Sequence, residues 1–302
     1  MPLLRRKAQL AVAIETTSGT AETLLAADVV GNAFDPVVNP TIEVIDRPKQ
    51  GDFGYFASVN GLRSGTCTFR TELTGDGSQT APLWAESLLP ACGFVQSVQT
   101  FTPTAEAVGS NVKTVTIALY QDGRRSLLYG AAGTFVVTME SGKPVSIEWT
   151  FTGKWGGVTD ASLLSPTLPT DLPFRFANTT TTIGSWSPCM QSIKLDAGNS
   201  VVMRECQSGD ATGFSAALIT DRAMMLDVNP EAALVATEDP YGDLLANTAQ
   251  AFSTAMTDGT DTCTIAAAAV QPVSSTAGDR NGIVTDDISY KVLNDSLTFV
   301  WS

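Results

Sequence analysis

One plan is written twice in this chain, and that internal repeat constrains the fold more than any single motif. Pro82-Leu-Trp-Ala-Glu-Ser-Leu-Leu-Pro-Ala-Cys-Gly-Phe94 corresponds to Pro240-Tyr-Gly-Asp-Leu-Leu-Ala-Asn-Thr-Ala-Gln-Ala-Phe252. Arg47-Pro-Lys-Gln-Gly-Asp52 corresponds to Arg204-Glu-Cys-Gln-Ser-Gly-Asp210, and Thr66–Leu73 to Ala223–Pro230, all 157 or 158 positions apart. After the helix-like segment the spacing falls to 136, because the second copy lacks an insert around Val95–Asn111. Ala131-Ala132-Gly133 then faces Ala267-Ala268-Ala269 at that same spacing. Two similar modules in one chain can fill two similar positions in a ring.

Local patterning makes each module mainly β with one helix. Cys67, Phe69, Thr71 and Leu73 alternate with Thr68, Arg70 and Glu72, the period-two signature of a half-buried strand. Pro82 is placed to start a helix carrying Trp84, Leu88 and Leu89 on one stripe, and Gly93 to stop it. Asp122-Gly123 between Thr114–Tyr120 and Ser126–Tyr129 signals a hairpin, as does Ser141–Pro144 between Thr134–Glu140 and Val145–Thr152. The second module is expected to hold Met190–Leu195 and Ser200–Cys206 as strands flanking Asp196–Asn199. A helix is expected near Pro240–Thr248, with closing strands Thr285–Leu293 and Leu297–Trp301 around Asn294-Asp295. The segment Ser165–Pro173 is too rich in proline for a continuous helix or a central strand. The expected organisation is a first module with its N-terminal arm over 1–155, a Pro-rich linker over 156–187, and a second module over 188–302. The fold class is two tandem β-sandwich or half-barrel modules, each with one flanking helix.

Chemistry is largely excluded. There is no histidine, which removes Ser-His-Asp and Cys-His catalysis and His-ligated metals. No phosphate-binding glycine loop is present. Asp76-Gly77 and Asp258-Gly-Thr-Asp261 lack the ligand count of a calcium loop, and turn chemistry accounts for both. Two-carboxylate glycoside hydrolysis needs no histidine, but the acids here sit in turns or alternate along strands. No enzyme, cofactor or metal is expected. The five cysteines have no Cys-x-x-Cys spacing and fit a reduced compartment, with Cys67 and Cys92 as core residues. No apolar run is long enough to span a bilayer. Met1–Ile14 imitates a secretory leader, but its apolar part is short and ends at Glu15, so it is expected to be an arm and a strand.

The net charge is −13. Residues 183–302 carry 15 acids against 5 bases, and the remaining 182 residues carry 16 against 13. Only Arg5-Arg6-Lys7 and Arg124-Arg125 approach the basic clustering that phosphate binding requires.

Several segments together resemble the tail tube proteins, or major tail proteins, of tailed bacteriophages. They are Ala13-Ile-Glu-Thr-Thr-Ser-Gly-Thr20, the run Gly65–Phe94, and Val145-Ser-Ile-Glu-Trp-Thr-Phe-Thr-Gly-Lys-Trp155. Fainter likeness returns at Leu195–Arg222 and Leu297–Trp301. The resemblance implies a structural protein of the virion tail, made in the bacterial host cytoplasm. Its rings would stack around a tape-measure protein, between terminator and tip proteins, and DNA would pass through the lumen unbound. Two modules per chain imply trimeric rings with pseudo-sixfold symmetry. A wall that repels phosphate suits this role, so Glu72, Glu148, Asp227 and Asp287 are candidate lumen residues. Arg5, Arg6, Lys7, Arg47, Lys49 and Asp52 are candidate ring-stacking contacts. A carbohydrate-binding β-sandwich protein of the tail tip is the alternative, as is a distal tail or terminator component. A sugar site would show its aromatics on an exposed platform, whereas Trp84, Trp149 and Trp301 fall on apolar stripes.

Overall fold

The computed structural model describes residues 3–104, 113–207 and 209–302. In the first half the strands are β1 (Ala8–Ile14), β2 (Ala33–Pro48), β3 (Tyr55–Glu72), β4 (Phe94–Ser97), β5 (Thr100–Pro103), β6 (Val115–Gln121), β7 (Arg124–Glu140) and β8 (Ser146–Asp160). The second half has β9 (Thr180–Ile183), β10 (Met190–Asp196), β11 (Asn199–Glu205), β12 (Phe214–Arg222), β13 (Met225–Pro230), β14 (Gln250–Thr257), β15 (Thr262–Arg280), β16 (Ile283–Val292) and β17 (Leu297–Trp301). Two helices, α1 (Leu83–Ala91) and α2 (Pro240–Ala246), complete the mainly β fold. The expected insert is β4 and β5 as far as it is described. Its remainder, and Met1 and Pro2 of the arm, lie outside the described residues.

Strand pairing repeats in the two halves. The first runs β1–β6–β7–β8–β3–β2, and the second runs β9–β14–β15–β16–β13–β10, every pair antiparallel. Even the bulges recur. Ile117↔Leu128 followed by Val115↔Ala131 matches Phe252↔Ala267 followed by Gln250↔Val270. In the long hairpins, Val44↔Asn60 and Pro48↔Tyr55 match Val201↔Ile219 and Glu205↔Phe214. Arg47 therefore keeps Arg204 as its counterpart. The counterparts of β3 slip by two from the sequence echo, so that Arg63 matches Arg222, because the second hairpin tip is longer. From Leu128 of β7 onward the 136-residue spacing likewise becomes 139, and it is 140 along β15 past the bulge at Pro272/Ser274.

Three local expectations change. Ser126–Tyr129 and Thr134–Glu140 are one strand, β7, carried through a bulge at Tyr129–Ala132. β10 and β11 do not pair as a hairpin: β10 pairs β13 and β7, whereas β11 pairs β12. The Asp196–Asn199 segment is instead a corner. Gly198 has φ 60°, and a Cβ there would sit 2.1 Å from the Ala223 carbonyl oxygen, so only glycine fits. Finally, β16 and β17 both lie along β15, with Asn294 (φ 53°) and Asp295 (φ 48°) forming the jog between them.

One apolar core serves both halves. β7 pairs β10, and β5 pairs β17, so the sheet is continuous across the repeat. Trp84 and Trp149 of the first copy pack with Trp301 and Phe299 of the second; Trp84–Trp301 centroids are 6.5 Å apart and Phe135–Phe299 centroids 5.8 Å. Their ring N–H groups are all satisfied: Trp149 donates to Thr71, Trp84 to the Thr74 hydroxyl, and Trp301 to the Thr74 carbonyl. These tryptophans are core, as their spacing suggested. Cys67, Cys92 and Cys263 are buried free thiols, with burial pushing Cys67 up to about 12. The halves should therefore unfold together. Trp149→Ala is expected to cost about 3–5 kcal/mol within a single urea transition; separate transitions for the two halves would contradict the shared core.

Candidate assembly surfaces

The sheet presents one polar face across both copies. Along β3, β8, β7, β10, β13 and β16 the core residues alternate with outward ones, and the register places Arg70 opposite Glu148, Glu148 opposite Val136, and Val136 opposite Asp196. Lys194 stands opposite Asp227, which stands opposite Ser289 and accepts its hydroxyl hydrogen bond at 2.6 Å. Glu72 and Asp287 keep the same parity at either flank. All four sequence-selected acids thus share one face, although they come from strands up to 215 positions apart. With Glu140 and Asp196, these carboxylates outnumber the cations Arg70, Lys194 and Lys291 on that face.

The second feature is a pair of unpaired edges. β2 pairs β3 on one side, and no described strand lies on its other side. β15 beyond Val270 pairs β16 on one side, while β14 ends at Val270 on the other. In the first copy the edge that corresponds to this part of β15 is filled: Val136–Glu140 of β7 pairs Ser192–Asp196 of β10. The counterpart of that β10 stretch is Asp35–Asn39 of β2, and the counterpart of that β7 stretch, past the bulge at Pro272/Ser274, is Thr276–Arg280 of β15. The chain therefore contains one junction complete and the two halves of a second, one at each end.

The third feature is the contrast between the two long hairpins. The outer part of β2–β3 stands exposed, with Val44 and Val59 about half accessible and Phe53 fully so. The equivalent β11–β12 hairpin is folded down onto β7 and β8. Ala217 and Ile219 pack with Ala132, and Val201 and Met203 lie against them. A buried ammonium fastens the tip. Lys154 donates to Asp210 (2.7 Å) and to the Gly19 carbonyl (2.6 Å), with its Nζ 4.5 Å from the Tyr129 ring centroid. Tyr129 also donates to Asp210 (2.8 Å). Burial works to raise the Asp210 carboxyl, but hydrogen bonds from Lys154, Thr212 and Tyr129 outweigh it and hold it well below the usual carboxylate range. Beside this site Glu15 is buried and accepts from the Gly19 and Gly130 amides and the Thr114 and Thr116 hydroxyls. On the other flank Arg222 donates to the Gly93 carbonyl and Asn199 at the end of α1. None of Lys154, Asp210, Glu15 or Arg222 carried a periodic signal that would have marked it.

The stacking candidates fall in two places. Lys7 pairs with Asp122 at 3.4 Å, and the Leu4 amide donates to the same carboxylate, so the arm with Arg5 and Arg6 is held at the β6–β7 turn. Arg47 and Lys49 both lie over the Phe56 ring near the β2–β3 tip, and Asp52 accepts from the Gly54 amide within it. The register sends that hairpin beyond Ser64↔Lys154 toward the Arg124↔Asp160 end of the sheet, the end that also holds Asp122. The turn acids meet backbone instead of forming a cluster: Asp76 accepts from Ser78 and Thr80, Asp258 from Thr260, and Asp261 from Gly77 and Gln79.

The described residues thus form a continuous antiparallel sheet with two unpaired edges, one charged face and one apolar core, the architecture of a structural β protein. The sequence matches the family described as "Phage tail tube protein" over residues 5–292, so the chain belongs to the phage tail tube protein family and is a structural component of the virion tail. No curated protein matches it.

The Lys154–Asp210 contact gives a direct test. Asp210→Asn leaves a buried ammonium short of its anion. Since Asp210 is a third exposed, the expected loss is discounted to about 2 kcal/mol. The Asp210 pKa is depressed by folding, so its contribution is full above the unfolded carboxylate value, near 4, and fades as pH falls through the lower folded value. Wild type should lose this increment below about pH 4, whereas the variant should not; urea midpoints from pH 7 to pH 2 measure both.

Proposed function

We infer that three copies close into a ring by pairing β2 of each chain with β15 of the next, and that such rings stack into the hollow tail tube. The observation that carries this reading is the junction already present inside the chain. β7 and β10 join as the two free edges are matched to join, Asp35–Asn39 against Thr276–Arg280. Closure satisfies backbone groups that an open edge leaves exposed, and a repeated rotation between copies gives a closed cyclic assembly. The inner wall would comprise β2, β3, β8, β7, β10, β13, β16 and β15 of each chain, eight strands from every copy.

The polar face of that wall is the lumen in this reading. Glu72, Glu148, Asp227 and Asp287 line it, and DNA passes because the wall repels phosphate and offers no dense cationic groove. The tape-measure protein fills the bore before DNA does, and terminator and tip proteins close its ends. The arm with Arg5, Arg6 and Lys7, and the tip residues Arg47, Lys49 and Asp52, face the next ring. The chain is made in the host cytoplasm and works in the virion.

Two experiments test the ring and its bore. An Asn39→Cys, Thr276→Cys chain, the pair that corresponds to Asp196↔Val136, with Cys189 and Cys206 changed to Ser should give, on oxidation of assembled tubes, covalent products ending at three chains. Products ending at six chains, or no product from intact tubes, would contradict the trimer. Tubes carrying Glu148→Lys and Asp227→Lys should retain short DNA at low salt where wild-type tubes do not; equal retention by wild type would contradict an acidic bore.

A further inference from the structure

We propose that the exposed outer half of the β2–β3 hairpin folds down onto the neighbouring copy within the same ring. It would cross that copy's β15 and β17 and set its Asp52–Gly54 tip against Asp221–Arg222 of that copy's β12. The inference rests on the ring reading above and adds a second, separate contact to it. Its occupant is a second copy of this chain, identified by a contact already made inside the chain.

The β11–β12 hairpin supplies the pattern. It shares the register of β2–β3, including both bulges. It crosses β7 where that strand runs through small residues, Gly130 to Gly133, and the approach there is close: a Cβ on Gly130 would lie 3.4 Å from the Ala216 Cα. Its tip then meets the base of the preceding hairpin. The Arg63 amide donates to the Thr212 carbonyl at 3.0 Å, and the Arg63 guanidinium donates to the Ala211 carbonyl at 2.5 Å. Each of these elements has a counterpart on the surface next to the free β15 edge. The Gly130–Gly133 stretch becomes Ala269–Pro272, which keeps a small residue at the Gly130 position, with Ala268 just before it exposed. Leu62–Arg63 becomes Asp221–Arg222, where Asp221 is also exposed. The approaching tip carries Arg47 and Lys49, and the receiving base carries the exposed Asp221, while Asp295 there already pairs with Arg222 at 3.7 Å. Val273, 47% accessible on β15, and Val44 of the hairpin are apolar residues left open on the two sides.

The corner that lets β10–β11 bend lies at Ala197–Gly198 and Ala223. Its counterpart in the first hairpin falls at Pro40–Thr41 and Ser64. β2 has no glycine there, but Gly65 of β3 sits beside it. Repeated around the ring, the contact makes a collar of six hairpins, each tip resting on the base of the next. Half of these contacts are within chains and half between them. The collar stands at the end of the sheet that carries the arm, so the same tip residues remain placed to meet the next ring.

The test uses the full chain, assembled, with Phe53→Cys and Asp221→Cys in the Cys189→Ser, Cys206→Ser background. Oxidation is expected to give covalent products that stop at three chains. A ladder running past three chains would mean that the tip reaches another ring and would overturn the proposal while leaving the Asn39–Thr276 ring result untouched. No product from tubes that do show the Asn39–Thr276 link would overturn it as well. Should the paired-cysteine chain fail to assemble, amide exchange on wild-type protein decides. Both Val44–Asn60 and Ala269–Gln271 should be at least tenfold better protected in tubes than in the dissociated chain. Unchanged exchange at Ala269–Gln271 would sink the idea.

Discussion

An unpaired strand edge is the constraint from which the rest of this structure follows. Each open edge presents a row of N–H and C=O groups that must meet water or another strand. This chain resolves one such edge internally, by laying β10 along β7, and keeps two complementary edges at its ends. The edges are not indiscriminate. Pro36 and Pro40 remove donors from β2, and Pro272 does so on β15 beside its bulge. Such an edge discourages casual pairing with an arbitrary strand and favours a partner whose own bulge and register suit it.

The duplication changes the energetics of closing a ring. A six-module ring built from single modules needs six encounters between molecules. Tandem modules make every second junction intramolecular, with the high effective concentration that covalent linkage confers. Here that junction is not a mere tether. It is buried into the common core through the Trp84, Trp149 and Trp301 cluster and through β5 on β17. The internal junction can therefore persist at any protein dilution.

Much of this was legible from local pattern. The strand faces, the start of α1 at Pro82, the core tryptophans and the mainly β class all follow from short-range periodicity and turn chemistry. The sharing of one face by Glu72, Glu148, Asp227 and Asp287 also follows from alternation, once the strands are known to be in one sheet. What escaped is long-range. Whether Asp196–Asn199 is a hairpin turn or a corner depends on Gly198 meeting Ala223, which only the β10–β13 pairing brings together. The repeat's offset slipped by two residues because a hairpin tip grew, and sequence likeness alone could not locate the extra residues. Lys154 and Asp210 lie on separate halves of the chain, and nothing in either neighbourhood announces that the two will meet in a buried pair.

The two hairpins show how one register yields two outcomes. β11–β12 is held down by Lys154, whose ammonium is desolvated and must keep its anion and carbonyl partners. Among the described residues β2–β3 has no comparable buried ion-pair anchor, and its Phe56 ring lies under Arg47 and Lys49. A hairpin with exposed apolar residues on both faces gains by burial, but the isolated chain offers it no surface. The second copy's hairpin is thus already folded against the first module, whereas the first copy's hairpin stands exposed. That asymmetry gives the chain a direction, since one end carries the finished contact and the other the unfinished one. Polymers with a head and a tail need such a difference, and a duplicated sequence that stayed perfectly symmetric would not supply it.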